Sequence, residues 1–197
     1  MRRVRCVGID PGSITGLCCL EVSTIDGAKN AAETLAHYLR TARVVGFSRI
    51  SSSKRLNTSP PEQHLTLYRK LCEQLSEWQP DHIVLEEPRD GIMMGGGRRQ
   101  MGTEFSLGRY FGLALAACDN TGSDVETIDT YQVTSTKHGE GWMPRRAGTG
   151  LKHTELKNQL IKRFREELRD LADSDDLSEH ELMAYGVLCF HLSKGVV

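Results

Sequence analysis

The chain has 197 residues, and its 25 Lys and Arg nearly balance 26 Asp and Glu, for a net charge of −1. This length fits one domain with a sizeable core, so we predict a single domain over residues 1–197. The average charge gives no sign of nucleic-acid or membrane binding, although it can hide local patches. The apolar run before Asp10 is too short for a signal peptide and no later run reaches membrane-spanning length, so we expect a soluble intracellular protein with no membrane partner.

The first predicted element is a β-hairpin over Val4–Val22 with Asp10 at the mouth of its turn. Pro11 cannot donate to a sheet ladder, and Gly12 and Gly16 tolerate unusual backbone angles, so strand pairing is interrupted where this carboxylate projects. A carboxylate at this position is suited either to binding a divalent metal or to a turn that binds nucleotide phosphates. An isolated Asp-Pro-Gly is also typical of an ordinary hairpin turn.

Helices and strands alternate along the rest of the chain. Strands are predicted at 44–50, 82–86 and 125–128, and helices at 28–40, 60–78, 103–118, 152–171 and 178–193. A long loop covers 136–150, and an acidic loop covers 172–177. A hairpin followed by this alternation predicts a five-stranded α/β sheet with three antiparallel strands first and then two strands parallel to the first.

The helix over 60–78 has the clearest start signals. Ser59 is its predicted N-cap, and two prolines occupy its first turn. Its predicted apolar face is formed by Leu65, Tyr68, Leu71, Cys72 and Leu75.

Two further patterns concern charge and cysteine. Residues 130–165 carry eight basic and two acidic residues, whereas residues 166–181 carry one basic and eight acidic residues. Both runs are also what solvated surface helices and loops look like. The six cysteines lie in apolar runs without paired ligand spacing, so we expect small buried hydrophobes and a reducing compartment.

Three carboxylates are predicted to converge. Asp10 and Glu86 are the last residues of two strands that should lie side by side. In such sheets, ligands bind at the edge where the carboxyl ends of the strands lie. Glu181 starts an otherwise apolar helix, where a charge needs a partner. The alternatives are a strand-end surface residue for Glu86 and a capping role for Glu181, although Ser178 is the better cap. Clustered carboxylates hold Mg²⁺ or Mn²⁺, and two such ions about 4 Å apart support phosphodiester hydrolysis, which is nuclease chemistry.

The order of motifs carries a family resemblance. The chain contains Gly8-Ile9-Asp10-Pro11-Gly12-x-x-Thr15-Gly16, Ile83-Val84-Leu85-Glu86, Ser106-Leu107-Gly108-Arg109-x-x-Gly112, Gln132-Val133 and His180-Glu181-Leu182-x-Ala184. It resembles the RuvC-like Holliday-junction resolvases, which have a ribonuclease-H-like fold. The resemblance implies a homodimer that binds four-way DNA junctions and nicks two opposed strands symmetrically with two Mg²⁺ or Mn²⁺ ions per site. It does not identify protein partners.

The resemblance also implies residue roles. Asp10, Glu86 and Glu181 match the metal-binding carboxylates, and Lys152 matches a basic residue near the scissile phosphate, with Lys157 as its rival. The family usually has Asp or His where this chain has Ser178, and Asp where it has Glu181. The fourth ligand is therefore open between Ser178 and His180, although His180 would point about a hundred degrees around the helix from Glu181.

Candidate DNA and dimer contacts complete the interpretation. In resolvases the segment that corresponds to Pro88–Met101 probes the junction centre, and here it combines apolar tips with flanking arginines; a mobile surface loop is the simpler alternative. The candidate DNA-binding residues are Arg89, Met93, Met94, Arg98, Arg99, Lys137, Arg145, Arg146 and Lys157. By resemblance the helix with Phe105, Gly108 and Gly112 forms the dimer contact.

Three other functions remain open from the sequence. Asp-x-Gly-x-x-Thr turns also grip phosphates in actin-like and sugar-kinase-like ATPases, but those proteins duplicate the fold and this chain has room for one copy. The Ser178 departure and the basic stretch also fit a non-catalytic junction-binding or nucleic-acid-binding module. A ribosomal-RNA-processing nuclease of the same fold is a closer alternative. Thr15 argues against it, because those enzymes commonly have Arg at this position.

Overall fold

The structure is a computed structural model that describes residues 2–24, 31–51, 59–87, 99–129, 153–169 and 171–195. Within these ranges, the side chains of residues 31–32, 99–107, 129, 153–154 and 156 are not described. The predicted loop over 136–150 lies outside the described residues, as do most of the segment 88–101 and all of residues 52–58.

The described strands form one five-stranded sheet in the order β3-β2-β1-β4-β5. The strands are β1 (Arg3–Asp10), β2 (Ile14–Ser23), β3 (Arg43–Ser51), β4 (His82–Glu87) and β5 (Asp124–Asp129). β1 and β2 pair antiparallel, as do β2 and β3, whereas β4 runs parallel to both β1 and β5. This is the mixed sheet that the alternation of elements predicted.

Five helices flank the sheet in the described ranges. They are α1 (Ala31–Thr41), α2 (Pro60–Trp78), α3 (Arg99–Asp119), α4 (His153–Leu168) and α5 (Glu179–Ser193). The bounds of α2 agree with the prediction, whereas α3 starts at Arg99 rather than Thr103. α4 ends at Leu168 because the chain tightens there into a turn in which Leu171 N donates to Leu168 O. None of these helices is long and apolar enough to cross a membrane.

Two apolar layers cover the two faces of the sheet. On one face α5 lies across β1, β2 and β4 and is flanked by α1 and α4. Every residue of α5 from Glu181 to Leu192 is buried, which is why its sequence is apolar on all sides. On the other face α2 and α3 pack on Val7, Ile9 and their neighbours. The sheet is therefore the middle layer of three.

The buried face of α2 differs from the predicted one. Leu67, Leu71, Leu75 and Trp78 are buried, whereas Leu65 is 45% exposed. The buried residues follow a spacing of four, four and three, which keeps them on one side of a helix. Leu65 was therefore wrongly assigned to the core.

The cysteines behave as small apolar side chains. All six are free thiols, and all are buried except Cys72, which is partly buried. Burial raises the pKa of Cys6, Cys19 and Cys118 to about 12, so these thiols stay protonated at neutral pH.

Candidate active site at the carboxyl ends of β1 and β4

Asp10 and Glu86 lie at the same edge of the sheet on adjacent parallel strands. Ile9 pairs with Leu85, so the next residue on each strand continues the register at the carboxyl end. Gly8 and Val84, two positions earlier, face the α5 side, and the alternation of strands places Asp10 and Glu86 on that side too. Glu86 is only 8% exposed. Two carboxylates therefore face the layer that contains α5.

Two glycines allow α5 to lie directly on the strands. Gly16 is the partner of Asp10 in the β1–β2 ladder, and a Cβ there would overlap the backbone of His180 and lie 2.7 Å from the N of Glu181. A Cβ on Gly8 would overlap the carbonyl oxygen of Ala184. Gly16 is thus required for close approach rather than for an unusual backbone angle. Among the described glycines, positive φ occurs only at Gly122 and Gly195.

The α5 side chain that touches Asp10 is His180. Its Nδ1 lies 2.9 Å from Asp10 Oδ2, a distance at which the ring donates to the carboxylate. This hydrogen bond raises the pKa of His180; burial opposes the rise, and the charge of Asp10 adds to it. The sequence placed His180 as the weaker candidate because it points away from Glu181 on the helix. Its direct contact with Asp10 follows from the close packing of α5 on Gly16. The sequence did not reveal this packing.

Glu181 is buried and turned back toward the start of its own helix. Its carboxylate is hydrogen-bonded to Ser178: the backbone N and the hydroxyl of Ser178 donate to Glu181 Oε2 at 2.8 and 2.7 Å. Ser178 is the N-cap of α5, and the pair forms a capping box. With the side chains in these positions, no three His, Cys, Asp or Glu residues of the described part of the chain are gathered closely enough to share a metal ion.

A basic residue reaches the first turn of α5 from α4. Lys157 Nζ lies 2.9 Å from Glu179 Oε1, next in sequence to His180. The hydrogen bond from Lys157 lowers the pKa of Glu179. Lys157 is therefore close to the candidate site and paired there with a carboxylate. Its rival Lys152 lies outside the described residues.

The turn after Asp10 is closed by Thr15. Its side chain is buried, and its hydroxyl donates to the carbonyl oxygen of Gly12 at 3.0 Å. The backbone N of Gly12 in turn lies 3.4 Å from the same hydroxyl oxygen. The hydroxyl therefore stabilises the turn and does not face a ligand.

The remaining predicted residues divide into two groups. Gly108 and Gly112 lie on an exposed face of α3, where a Cβ would meet nothing within 4 Å. The other predicted DNA and dimer residues lie outside the described residues, or, for Arg99 and Phe105, have side chains that are not described. Those outside are Arg89, Met93, Met94, Arg98, Lys137, Arg145 and Arg146.

Comparison with known proteins finds similarity in structure alone. No family model matches the chain, and no curated protein matches it in sequence. RuvC from Thermus thermophilus in complex with a Holliday junction substrate is 17% identical with a TM-score of 0.60, over 96% of this chain and 93% of that one. A second Thermus thermophilus RuvC structure has the same identity and coverage with a TM-score of 0.58. The yeast mitochondrial Holliday junction resolvase Ydc2 is 12% identical with a TM-score of 0.51, over 98% of this chain and 78% of that one.

These likenesses concern the fold. The mixed five-stranded sheet with its flanking helices matches the ribonuclease-H-like fold of the RuvC neighbours. The fold that the sequence motifs implied is therefore confirmed, and so is the resemblance of this chain to the RuvC-like structures.

Proposed function

We propose that this chain is a structure-selective DNA endonuclease that resolves four-way junctions by symmetric, metal-dependent nicking of opposed strands during recombination or repair. One observation carries the proposal: two RuvC structures share the fold over 96% of the chain, and here Asp10 and Glu86 continue adjacent strands in register at one edge. The fold alone is compatible with several chemistries. The two carboxylates at this edge, Glu86 buried and Asp10 partly buried, favour phosphodiester hydrolysis.

The donor set fits a hard divalent cation. Asp10, Glu86 and Glu181 offer carboxylate oxygens, which Mg²⁺ and Mn²⁺ prefer, and none of the three is a soft sulfur ligand. Two ions bound there would activate the attacking water and stabilise the leaving oxygen. We assign Asp10, Glu86 and Glu181 to holding these ions, with Ser178 or His180 as the candidate fourth ligand. Lys152, or its rival Lys157, would stabilise charge on the phosphate.

The chain's own residues define the shape of this site. His180 orients Asp10 through the 2.9 Å contact, and the backbone of α5 is held against β1 and β2 by Gly8 and Gly16. The N-terminal end of α5, with its partial positive charge, points to the edge where a phosphate would bind. A rigid strand edge and a rigid helix end would thus position the scissile phosphate.

A symmetric reaction on two strands needs two copies of the site, and α3 offers a surface for the second copy. Gly108 and Gly112 leave an exposed strip on this helix, and Leu115 beside it is 38% exposed. Small residues let another backbone approach closely. We therefore propose a homodimer whose contact includes this strip.

One observation favours a second candidate, a non-catalytic module that binds junctions. Glu181 is held by Ser178, and no three candidate ligands are gathered among the described residues. By contrast, the buried hydroxyl of Thr15 disfavours a phosphate-gripping ATPase, because it is occupied within the turn. The two nucleic-acid functions differ in whether DNA is cut.

The test is a cleavage assay on a four-way junction, a replication fork and a linear duplex, each with and without Mg²⁺. We expect metal-dependent cleavage of the junction in preference to the duplex. Asp10→Asn and Glu86→Gln should each abolish cleavage and leave junction affinity largely intact.

Asp124→Asn is the matched control, because its side chain is 89% exposed at the opposite end of the sheet. It should cut like the unaltered protein. Junction binding without cleavage under any divalent metal would favour the non-catalytic module. Retained cleavage by Asp10→Asn would refute the site assignment.

A further inference from the structure

Glu181 has two competing uses at the start of α5. Its Oε2 accepts hydrogen bonds from the backbone N and the hydroxyl of Ser178, at 2.8 and 2.7 Å. The proposed function assigns the same carboxylate to the metal ions. A side chain that reaches back to its N-cap has a different orientation from one that joins Asp10 and Glu86 around an ion.

Close packing of α5 on the sheet opposes a shift of the helix itself. The backbone of His180 lies against Gly16, and the carbonyl oxygen of Ala184 lies against Gly8, so α5 is fixed on the sheet at two points. In the present positions, the described residues contain no group of three His, Cys, Asp or Glu side chains able to hold an ion. Rotation of the Glu181 side chain is the available adjustment, and it breaks the contacts with Ser178.

The chain contains a second capping box, which shows that the Ser-x-x-Glu contact forms without a nearby metal site. On α2, the backbone N and hydroxyl of Ser59 donate to Glu62 Oε2 at 2.8 and 2.9 Å. α2 covers the opposite face of the sheet, away from Asp10. The position of Glu181 is therefore the local preference of a Ser-x-x-Glu helix start, which exists without any metal site.

We propose that Ser178 is a positioning residue that sets the metal affinity of the site by holding Glu181 in a resting orientation. Binding of a divalent ion exchanges the hydroxyl contact of Ser178 for the ion, so part of the binding free energy is used to break the capping box. This inference rests on the proposed function, because it requires that Glu181 be a ligand. It assigns to Ser178 a role other than that of a ligand.

The test measures Mn²⁺ binding to the full chain without DNA, by the electron paramagnetic resonance signal of free Mn²⁺. Ser178→Ala should bind Mn²⁺ more tightly, on the order of fivefold, since an N-cap hydroxyl is removed from the competition. The same variant should melt about 2–4 °C lower in the absence of metal. Ser178→Thr keeps the hydroxyl and should restore the original affinity.

Ser59→Ala is the matched control, because it removes the same contact on α2. It should lower the melting temperature similarly and leave Mn²⁺ affinity unchanged. If Ser178→Ala does not fold, Ser178→Gly removes the hydroxyl at a position where glycine is tolerated.

The outcomes separate the two proposals. Unchanged or weaker Mn²⁺ binding by the Ser178 variants, with Mn²⁺ still bound by the unaltered chain, overturns the role of Ser178 and leaves the proposed function standing. Absence of Mn²⁺ binding in the unaltered chain and in all variants contradicts both.

Discussion

Gly16 and His180 are in backbone contact, and this contact places the first turn of α5 beside Asp10. Gly16 is the ladder partner of Asp10 on β2, so the helix crosses the sheet one strand away from the carboxylate. The imidazole of His180 then reaches Asp10 Oδ2 at 2.9 Å. A residue without a side chain is thus as important to the geometry of the site as the charged residues around it.

Gly16→Ala should therefore disturb the site and the fold together. A Cβ would overlap the backbone of His180, and overpacking of this kind costs about 1–3 kcal/mol of unfolding free energy. We expect a lower denaturation midpoint in urea and a loss of Mn²⁺ binding, because the start of α5 is displaced from Asp10. Ser76→Ala is the control, since Ser76 is exposed on α2, outside the site and the proposed dimer strip, and alanine favours helix. Equal stability of the two variants would contradict this account.

Much of the fold could be predicted because local signals and global arrangement agree. Ser59 and the two prolines after it mark the start of α2, and its bounds were predicted correctly. The same holds for the sheet, whose mixed order follows from a hairpin and alternating elements. Leu65 was misassigned because more than one set of apolar residues on α2 fits a helical period. Only tertiary packing determines that the face containing Leu67 is the buried one.

The site was less accessible to sequence reasoning. Strand ends identified Asp10 and Glu86 as neighbours, since register follows from the parallel pairing of β1 and β4. The contact between His180 and Asp10 depends on how deeply α5 sits on Gly16, which is a long-range packing relation. The signal for the capping box was present as Ser-x-x-Glu at Ser178, yet its competition with metal binding depends on the orientation of one side chain.

The exposed strip on α3 gives a prediction about assembly. Gly112→Lys should shift the proposed homodimer toward monomer, because a long charged side chain would project from a strip where partner backbone is expected. The monomer itself should stay folded, since a Cβ at this position meets nothing within 4 Å and lysine is a better helix former than glycine. Sedimentation equilibrium measures the dimer fraction. Ser76→Lys, at an exposed site on α2, controls for the added charge; equal dimer fractions in both variants would exclude this strip as the interface.

Arg49 provides a prediction about DNA contact. It pairs with Gly16, which pairs with Asp10, so the three residues form one row across β3, β2 and β1 at the candidate site's edge of the sheet. Arg49 is exposed, and we expect it to contact a junction phosphate. Arg49→Ala should weaken junction binding several-fold and reduce the salt dependence of log Kd by about one charge. Fluorescence anisotropy at several salt concentrations measures both quantities.

Arg43→Ala is the control for that experiment, because Arg43 is an exposed arginine at the opposite end of β3, paired with Glu21. It should leave affinity and salt dependence nearly unchanged. Equal effects of the two substitutions would mean that Arg49 acts only through net charge.

A buried histidine far from the candidate site predicts how stability depends on pH. His191 is 2% exposed on α5, and burial lowers its pKa. It faces Glu126 on β5, with Nδ1 3.2 Å from Oε2; the charge of Glu126 raises the pKa of His191, whereas His82 on β4 and Lys194 after α5 lower it. Lys194 in turn donates to Glu126 at 2.9 Å.

The sign of the effect follows from which state binds the proton first. Because the folded-state pKa of His191 lies below its ordinary value of about 6.5, the unfolded chain is protonated first as the pH falls. The stability linked to this histidine is complete above that pH and is lost as the pH falls toward the folded-state pKa. The unfolding free energy, measured in urea between pH 7 and 5, should therefore decrease more steeply in the unaltered protein than in His191→Gln. His64→Gln, on α2 and outside this cluster, should keep the original slope, and parallel curves for the unaltered protein and His191→Gln would show that His191 does not contribute to it.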